Sequence, residues 1–210
     1  FPLTLPLSPQ ERGEAIHPSS RAGGILAYFD KNWLIGGFDE KVWLLKPKSI
    51  EEALNLFAQY GEKAKLIAGG TDGIIMIKQK AMAPDALISL QEITGLDQIK
   101  YNRSLSIGQM LTHRMIEKSE LIKKDFSALA DAVSWLGSIQ IWNVATIWGN
   151  FCTAAPSADK ATPFLVLGTQ VKIKNLKEER SVPLEEFFKA PCSKVFPFCA
   201  KLSYPEQTFH

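Results

Sequence analysis

Two glycine-bearing segments carry the residues best suited to holding a ligand. In Leu66-Ile67-Ala68-Gly69-Gly70-Thr71-Asp72-Gly73 a short apolar run breaks into two glycines, then a hydroxyl and a carboxylate. Residues without a Cβ let the main chain pack against a ligand, and successive N–H groups in a tight turn form an anion-holding nest. In Ala145-Thr146-Ile147-Trp148-Gly149-Asn150 a second apolar run breaks at Gly149, with Thr146 and Asn150 beside it as donors. One such segment is weak evidence, because Gly-Gly after a strand is usually just a turn. Two in one domain have the means to grip a pyrophosphate from both sides, an alternative to the single helix N-terminus of a Rossmann fold.

Other chemistry is hard to find. The chain has no G-x-S-x-G, G-x-x-x-x-G-K-[ST], H-E-x-x-H or G-x-G-x-x-G. His17, His113 and His210 lie in dissimilar surroundings, and His113 reads as a polar residue in a helix's first turn. Cys152, Cys192 and Cys199 form no C-x-x-C, so no zinc or iron–sulfur site is expected from this chain alone. An odd cysteine count in a mid-sized chain points to a reducing, cytoplasmic compartment rather than a disulfide scaffold. No side chain is singled out as a general acid or base.

Composition narrows the class further. At 46% hydrophobic and 22% charged, the 210 residues suffice for a real core and exclude a disordered or fibrous chain. A net charge of +2 gives no basic stripe, so no nucleic-acid partner is expected. The 27 residues from Ala132 to Ala158 carry no charge, a length able to span a bilayer. Their serines, threonines and asparagines, with Gly137, Gly149 and Pro156, suit a buried, turn-rich segment, so no membrane span is expected. The first residues lack a basic n-region and are not read as a signal peptide.

The elements that must position the two segments follow from local signals. Residues 1–41, rich in proline and with two Gly-Gly pairs, read as an irregular extension with one short hairpin around Gly36-Gly37. Val42–Leu45, stopped by Pro47, reads as an edge strand. Ser49 and Glu52 form a capping box for a helix whose apolar face is Ile50, Ala53, Leu54, Phe57 and Ala58, with Gly61 as its stop. Strands are expected at 65–68 and 86–90, and hairpins around Asn102-Arg103 and between 171–174 and 180–182. Helices are expected from a Thr112 cap to Lys118, from Ser127 to Leu136 before Gly137, from Ala161 to Leu167 before Gly168, and over 184–188. Ile139–Ile147 alternates loosely and runs into a turn at Trp148-Gly149-Asn150. Hairpins mixed with β–α pieces point to an α+β fold.

In order, P-K-S-I-E-E-A-L (47–54), L-I-A-G-G-T-D (66–72) and Q-I-W-N-V-A-T-I-W-G-N-F-C-T-A-A-P-S-A-D (140–159) resemble the flavin-binding medium subunit of molybdenum hydroxylases. That family includes the subunits of xanthine and carbon-monoxide dehydrogenases. The resemblance covers about residues 42–190 and implies a two-subdomain FAD-binding domain of the p-cresol-methylhydroxylase type. It places one subdomain at 42–100 and a second at 101–190, leaving 191–210 as an atypical tail. FAD is the implied cofactor. The matching positions are Leu66, Ile67, Ala68, Gly69, Gly70, Thr71, Asp72 and Gly73 in the first loop, and Thr146, Ile147, Trp148, Gly149 and Asn150 in the second. Asp159 matches an acidic position near the cofactor, although a helix dipole ahead of Ala161 would favour an acid there anyway. Leu136 matches an apolar position beside it, which helix packing alone would also explain. The implied role is electron transfer: a molybdopterin-binding large subunit oxidises substrate, a [2Fe–2S] small subunit relays electrons, and the FAD subunit passes them to NAD, a quinone or oxygen.

The chain departs from the family pattern in places. The second loop usually reads T-I-G-G-N, so Trp148 stands where a glycine is usual, and an indole there is expected to crowd the cofactor. Trp142 stands for a common arginine, and Ala190 and Cys192 for glycines. Set against the family pattern, the C-terminal domain is expected to be missing and both ends read as atypical, as expected of a truncated or frame-shifted reading frame. The rival expectation is therefore a non-catalytic remnant that no longer binds FAD tightly.

Overall fold

The computed structural model describes residues 27–29, 42–102, 104–134, 138–153, 161–189 and 198–203. The expected hairpin turn at Gly36-Gly37, Leu136, Gly137, Asp159, Ala190 and Cys192 lie outside the described residues.

The first sheet has the order β1-β2-β4-β3. Its strands are β1 (Ala27–Phe29), β2 (Val42–Leu45), β3 (Ala64–Ile67) and β4 (Ala86–Ser89). β4 runs parallel to both β2 and β3, and β1 pairs antiparallel with β2. β2 is therefore an interior strand, not the edge strand that Pro47 suggested, because Ala27–Phe29 covers its free side. Parallel neighbours require crossovers. One is α1 (Ile50–Tyr60), whose start is built as expected: the Glu52 N–H donates to Ser49 Oγ at 3.1 Å. The return contact is shifted by one residue, since Glu52 Oε2 accepts from the Lys48 N–H at 2.8 Å. At the far end Gly61 has φ +57°, and its N–H closes the last turn on Phe57 O. The other crossover begins with α2 (Gly73–Lys78), so the apolar run Ile74–Ile77 is a helix. Every residue of β4 is buried, as a strand flanked on both sides requires, and Ala53, Leu54, Ala64, Ile88 and Leu90 form the first core.

The second sheet, β5-β6-β9-β7-β8, is antiparallel throughout. It comprises β5 (Ile99–Asn102), β6 (Ser104–Gly108), β7 (Gln170–Lys174), β8 (Glu179–Pro183) and β9 (Phe198–Ser203). The tail thus supplies β9, which lies between β6 and β7. Asn175 shapes the β7–β8 turn by accepting the Lys177 and Glu178 N–H groups at 2.7 and 2.8 Å. The helices of this region are α3 (His113–Lys118), α4 (Glu120–Asp125), α5 (Ser127–Ser134), α6 (Ile139–Val144), α7 (Ile147–Thr153), α8 (Ala161–Val166) and α9 (Leu184–Lys189). Thr112 caps α3 through Met115 as expected. The sequence reading did not anticipate α4, capped by Ser119 through Ile122. The second core joins Leu105, Ile107, Ile116, Ile122, Leu129, Phe151, Phe164 and Val171. The described residues of the uncharged stretch fall mostly in short helices, and among the described residues no helix is long and apolar enough to cross a membrane.

Candidate functional site

The first glycine segment leaves the end of β3. Ile67 O accepts from the Leu90 N–H at 3.0 Å, which ties the strand end to the chain beyond β4. The backbone then turns through Ala68, Gly69 and Gly70. Gly70 has φ +76°, a conformation a side chain disfavours, and its carbonyl accepts the Ile74 N–H at 3.1 Å to open α2. Thr71 is half-buried, and Asp72 is exposed at the N-cap of α2 without a side-chain capping bond.

Gly69 is glycine for a different reason. A Cβ there would overlap the Val144 carbonyl, and it would stand 3.1 Å from Ala145 Cα. Val144 and Ala145 immediately precede Thr146. The main chains of the two glycine segments are therefore in direct contact.

The second segment is not the turn expected from its sequence. Ile139–Ile147 is not an alternating run, and Trp148-Gly149-Asn150 lies inside α7. Thr146 is buried, and its Oγ1 accepts the Gly149 N–H at 3.1 Å, while its carbonyl accepts the Asn150 N–H at 3.2 Å. Thr146 thus acts as an acceptor that starts a helix. The segment is fixed from the other side by α3: His113 N–H donates to Ala145 O at 3.1 Å, Ile147 N–H to Leu111 O at 3.2 Å, and Thr112 forms a bridge with Thr146.

Trp148 packs inward. It is 5% exposed and stacks at 5.1 Å on Phe187 and edge-on at 6.5 Å to Phe151, within the second core. Helical geometry accounts for this, because Ile147, Trp148 and Phe151 share one buried face. The indole is therefore occupied in packing α7 against α9. Gly149 has an ordinary backbone conformation, and a Cβ there would lie 3.1 Å from Thr146 Oγ1.

The wider surroundings carry little charge chemistry. Among the described residues no group of three or more His, Cys, Asp or Glu is placed to hold a metal ion. His113 is buried in the first turn of α3, as its sequence position suggested. Lys174 Nζ at the end of β7 meets Glu51 of α1 at 3.1 Å. The Glu51 carboxyl is held below the ordinary carboxylate range, first by a backbone N–H in the opening turn of α1 and then by Lys174. Sequence reasoning missed Gln109, whose buried Oε1 and Nε2 have no hydrogen-bond partner, and did not foresee that Asn150, named for its amide, is half-buried with an Oδ1 that has none. Neither has a local signal, because their burial depends on β6, α3 and α7 coming together.

Comparisons with known proteins point to one family. Residues 38–197 match the family described as the FAD binding domain in molybdopterin dehydrogenase. The chain is 33% identical to the nicotinate dehydrogenase FAD-subunit of Eubacterium barkeri, over 68% of this chain and 49% of that one. It is 32% identical to the xanthine dehydrogenase FAD-binding subunit of Escherichia coli O157:H7, again over 68% and 49%. The fold matches carbon monoxide dehydrogenase from Hydrogenophaga pseudoflava with a TM-score of 0.72 and 25% identity, covering 78% of this chain and 58% of that one. The chain spans about half the length of the curated relatives it matches. With a match over most of its length and the fold to accompany it, this chain belongs to the family of FAD-binding domains of molybdopterin dehydrogenases.

Proposed function

We propose that the chain binds FAD where Gly69–Gly73 meets Thr146–Asn150, and that it serves as the electron-transfer subunit of a xanthine or carbon-monoxide dehydrogenase-like complex. One observation carries this reading: the Gly69 main chain packs directly on Val144 and Ala145, so two distant segments border one place. The residues suit a dinucleotide. Gly69 and Gly70 hold a turn free of side chains, and Asn150 offers a buried oxygen with no partner. In this reading Leu66, Ile67 and Ala68 deliver the turn, Thr71, Asp72 and Gly73 line its exit, and Ile147 and Trp148 anchor the helix presenting Gly149 and Asn150. Asp159 is proposed as an acidic neighbour. Bound FAD would accept electrons from a one-electron donor and pass them in pairs to an acceptor such as NAD or a quinone. The chain's own part is to bind and orient that group. The proposed partners are a molybdopterin-binding large subunit and a [2Fe–2S] small subunit, in the cytoplasm.

Reconstitution tests the reading. The chain incubated with FAD and desalted is expected to retain flavin absorbance at about one FAD per chain, a stoichiometry set by the single proposed site. A colourless product would leave the remnant reading standing.

A further inference from the structure

We propose that Gln109 is a ligand-binding residue of this same site, its side-chain amide pairing with a donor–acceptor edge on the dinucleotide; the inference rests on the FAD reading above. Gln109 is 2% exposed, and neither Oε1 nor Nε2 has a hydrogen-bond partner. A primary amide offers two N–H donors and a two-lone-pair acceptor, and burying all of them unmet opposes folding. Native cores rarely keep such a group without a use for it. An apolar side chain of equal volume would fill the space without that penalty.

Its position says what the use is. Gln109 follows β6 at a turn that crosses between the cores: Met110 packs on the first, and Leu111 belongs to the second. The turn is held at both sides, by the Met110 N–H on Leu96 O at 2.7 Å and by Leu111 O under the Ile147 N–H at 3.2 Å. The pairing continues through Thr112 and Thr146 to His113 and Ala145, against which Gly69 rests. Gln109 is thus carried on the turn whose Leu111 and Thr112 pair with the start of α7, the helix in which Asn150 Oδ1 is likewise buried and unmet. The two amides do not satisfy each other. A ligand edge with an acceptor beside a donor would meet the Gln109 amide, and both the flavin pyrimidine ring and the adenine ring present one.

The test is Gln109→Met in the full chain, which keeps the volume and removes both polar atoms. Without flavin, the variant is expected to melt above the wild type, because an unmet buried amide has gone. With FAD, its Kd by equilibrium titration is expected to rise about tenfold, the loss of roughly one hydrogen bond to a ligand. Parallel titrations with FMN and with ADP locate the edge: weakening confined to FMN assigns the flavin ring, and weakening confined to ADP assigns adenine. An unchanged FAD Kd overturns the proposal and leaves an amide met by water alone. Where Gln109→Met does not fold, Gln109→Leu provides the same comparison. A wild-type chain that takes up no FAD removes the flavin reading itself, whereas a wild type that binds and a variant that binds equally well removes only this proposal.

Discussion

Gly69 and Gly149 both follow apolar residues and both lie beside a threonine, yet they occupy opposite kinds of structure. Gly69 sits in a turn and has no room for a side chain, because the Val144 carbonyl fills that space. Gly149 sits in the first turn of α7 in an ordinary helical conformation, and its N–H is taken by Thr146. The difference lies in their neighbours. After Gly69 and Gly70 come Thr71 and Asp72, which give a turn no apolar face to bury. Around Gly149, Ile147, Trp148 and Phe151 form a face that the second core takes in, so the chain stays helical through the glycine. A glycine is a breaker only where nothing nearby stabilises the element it would break.

Substitutions can break this comparison, and the largest effect is expected at Trp148. Trp148→Gly removes an indole packed on Phe187 and Phe151, which should cost about 3–5 kcal/mol by chemical denaturation. Stability close to wild type, with tighter FAD retention, would instead mean the indole stands in the cofactor's way. The next effect sharpens the contrast between the glycines. Gly69→Ala forces a Cβ into the Val144 carbonyl and should cost about 1–3 kcal/mol along with flavin retention. Gly149→Ala should change stability by no more than about 1 kcal/mol, since helix propensity favours alanine. Equal effects at the two positions would show that the glycines play the same part after all.

The smallest effect concerns the contact between α1 and β7. The Glu51 carboxyl titrates below its ordinary value, so its contribution is present above the unfolded-state pKa and is lost as pH falls through the folded one. Lys174→Ala should raise the Glu51 pKa only part of the way, as followed by NMR titration, because the backbone N–H, the largest single cause, is left in place. The pair is exposed, and added salt should shrink the difference between variant and wild type. A Glu51 pKa insensitive to the substitution would mean that the ion pair does not form in solution.

Several elements were legible because their causes are local. Ser49 and Thr112 each cap a helix through an amide three residues away, and both helices start where those residues predict. The β5–β6 and β7–β8 pairs join strands that are neighbours in sequence, a local cause. Others had no local cause. Val42–Leu45 read as an edge because nothing within it announces Ala27–Phe29 on its flank. Helix α4 was missed although Ser119 caps it, since Glu120–Asp125 is a single short turn buried through Ile122.

The sequence alone determined the caps, the hairpin turns, the bend at Gly69–Gly70 and the order of motifs that marks the family, since these rest on torsions and hydrogen bonds spanning a few residues. Only the tertiary structure decided that Gly69 lies on Val144 and Ala145, that Trp148 faces the second core, and that the Gln109 amide is shut in without a partner. Each of those depends on which distant surface arrives opposite. Burial and steric exclusion arise between segments far apart in the chain, and no short window of residues contains both sides of the contact.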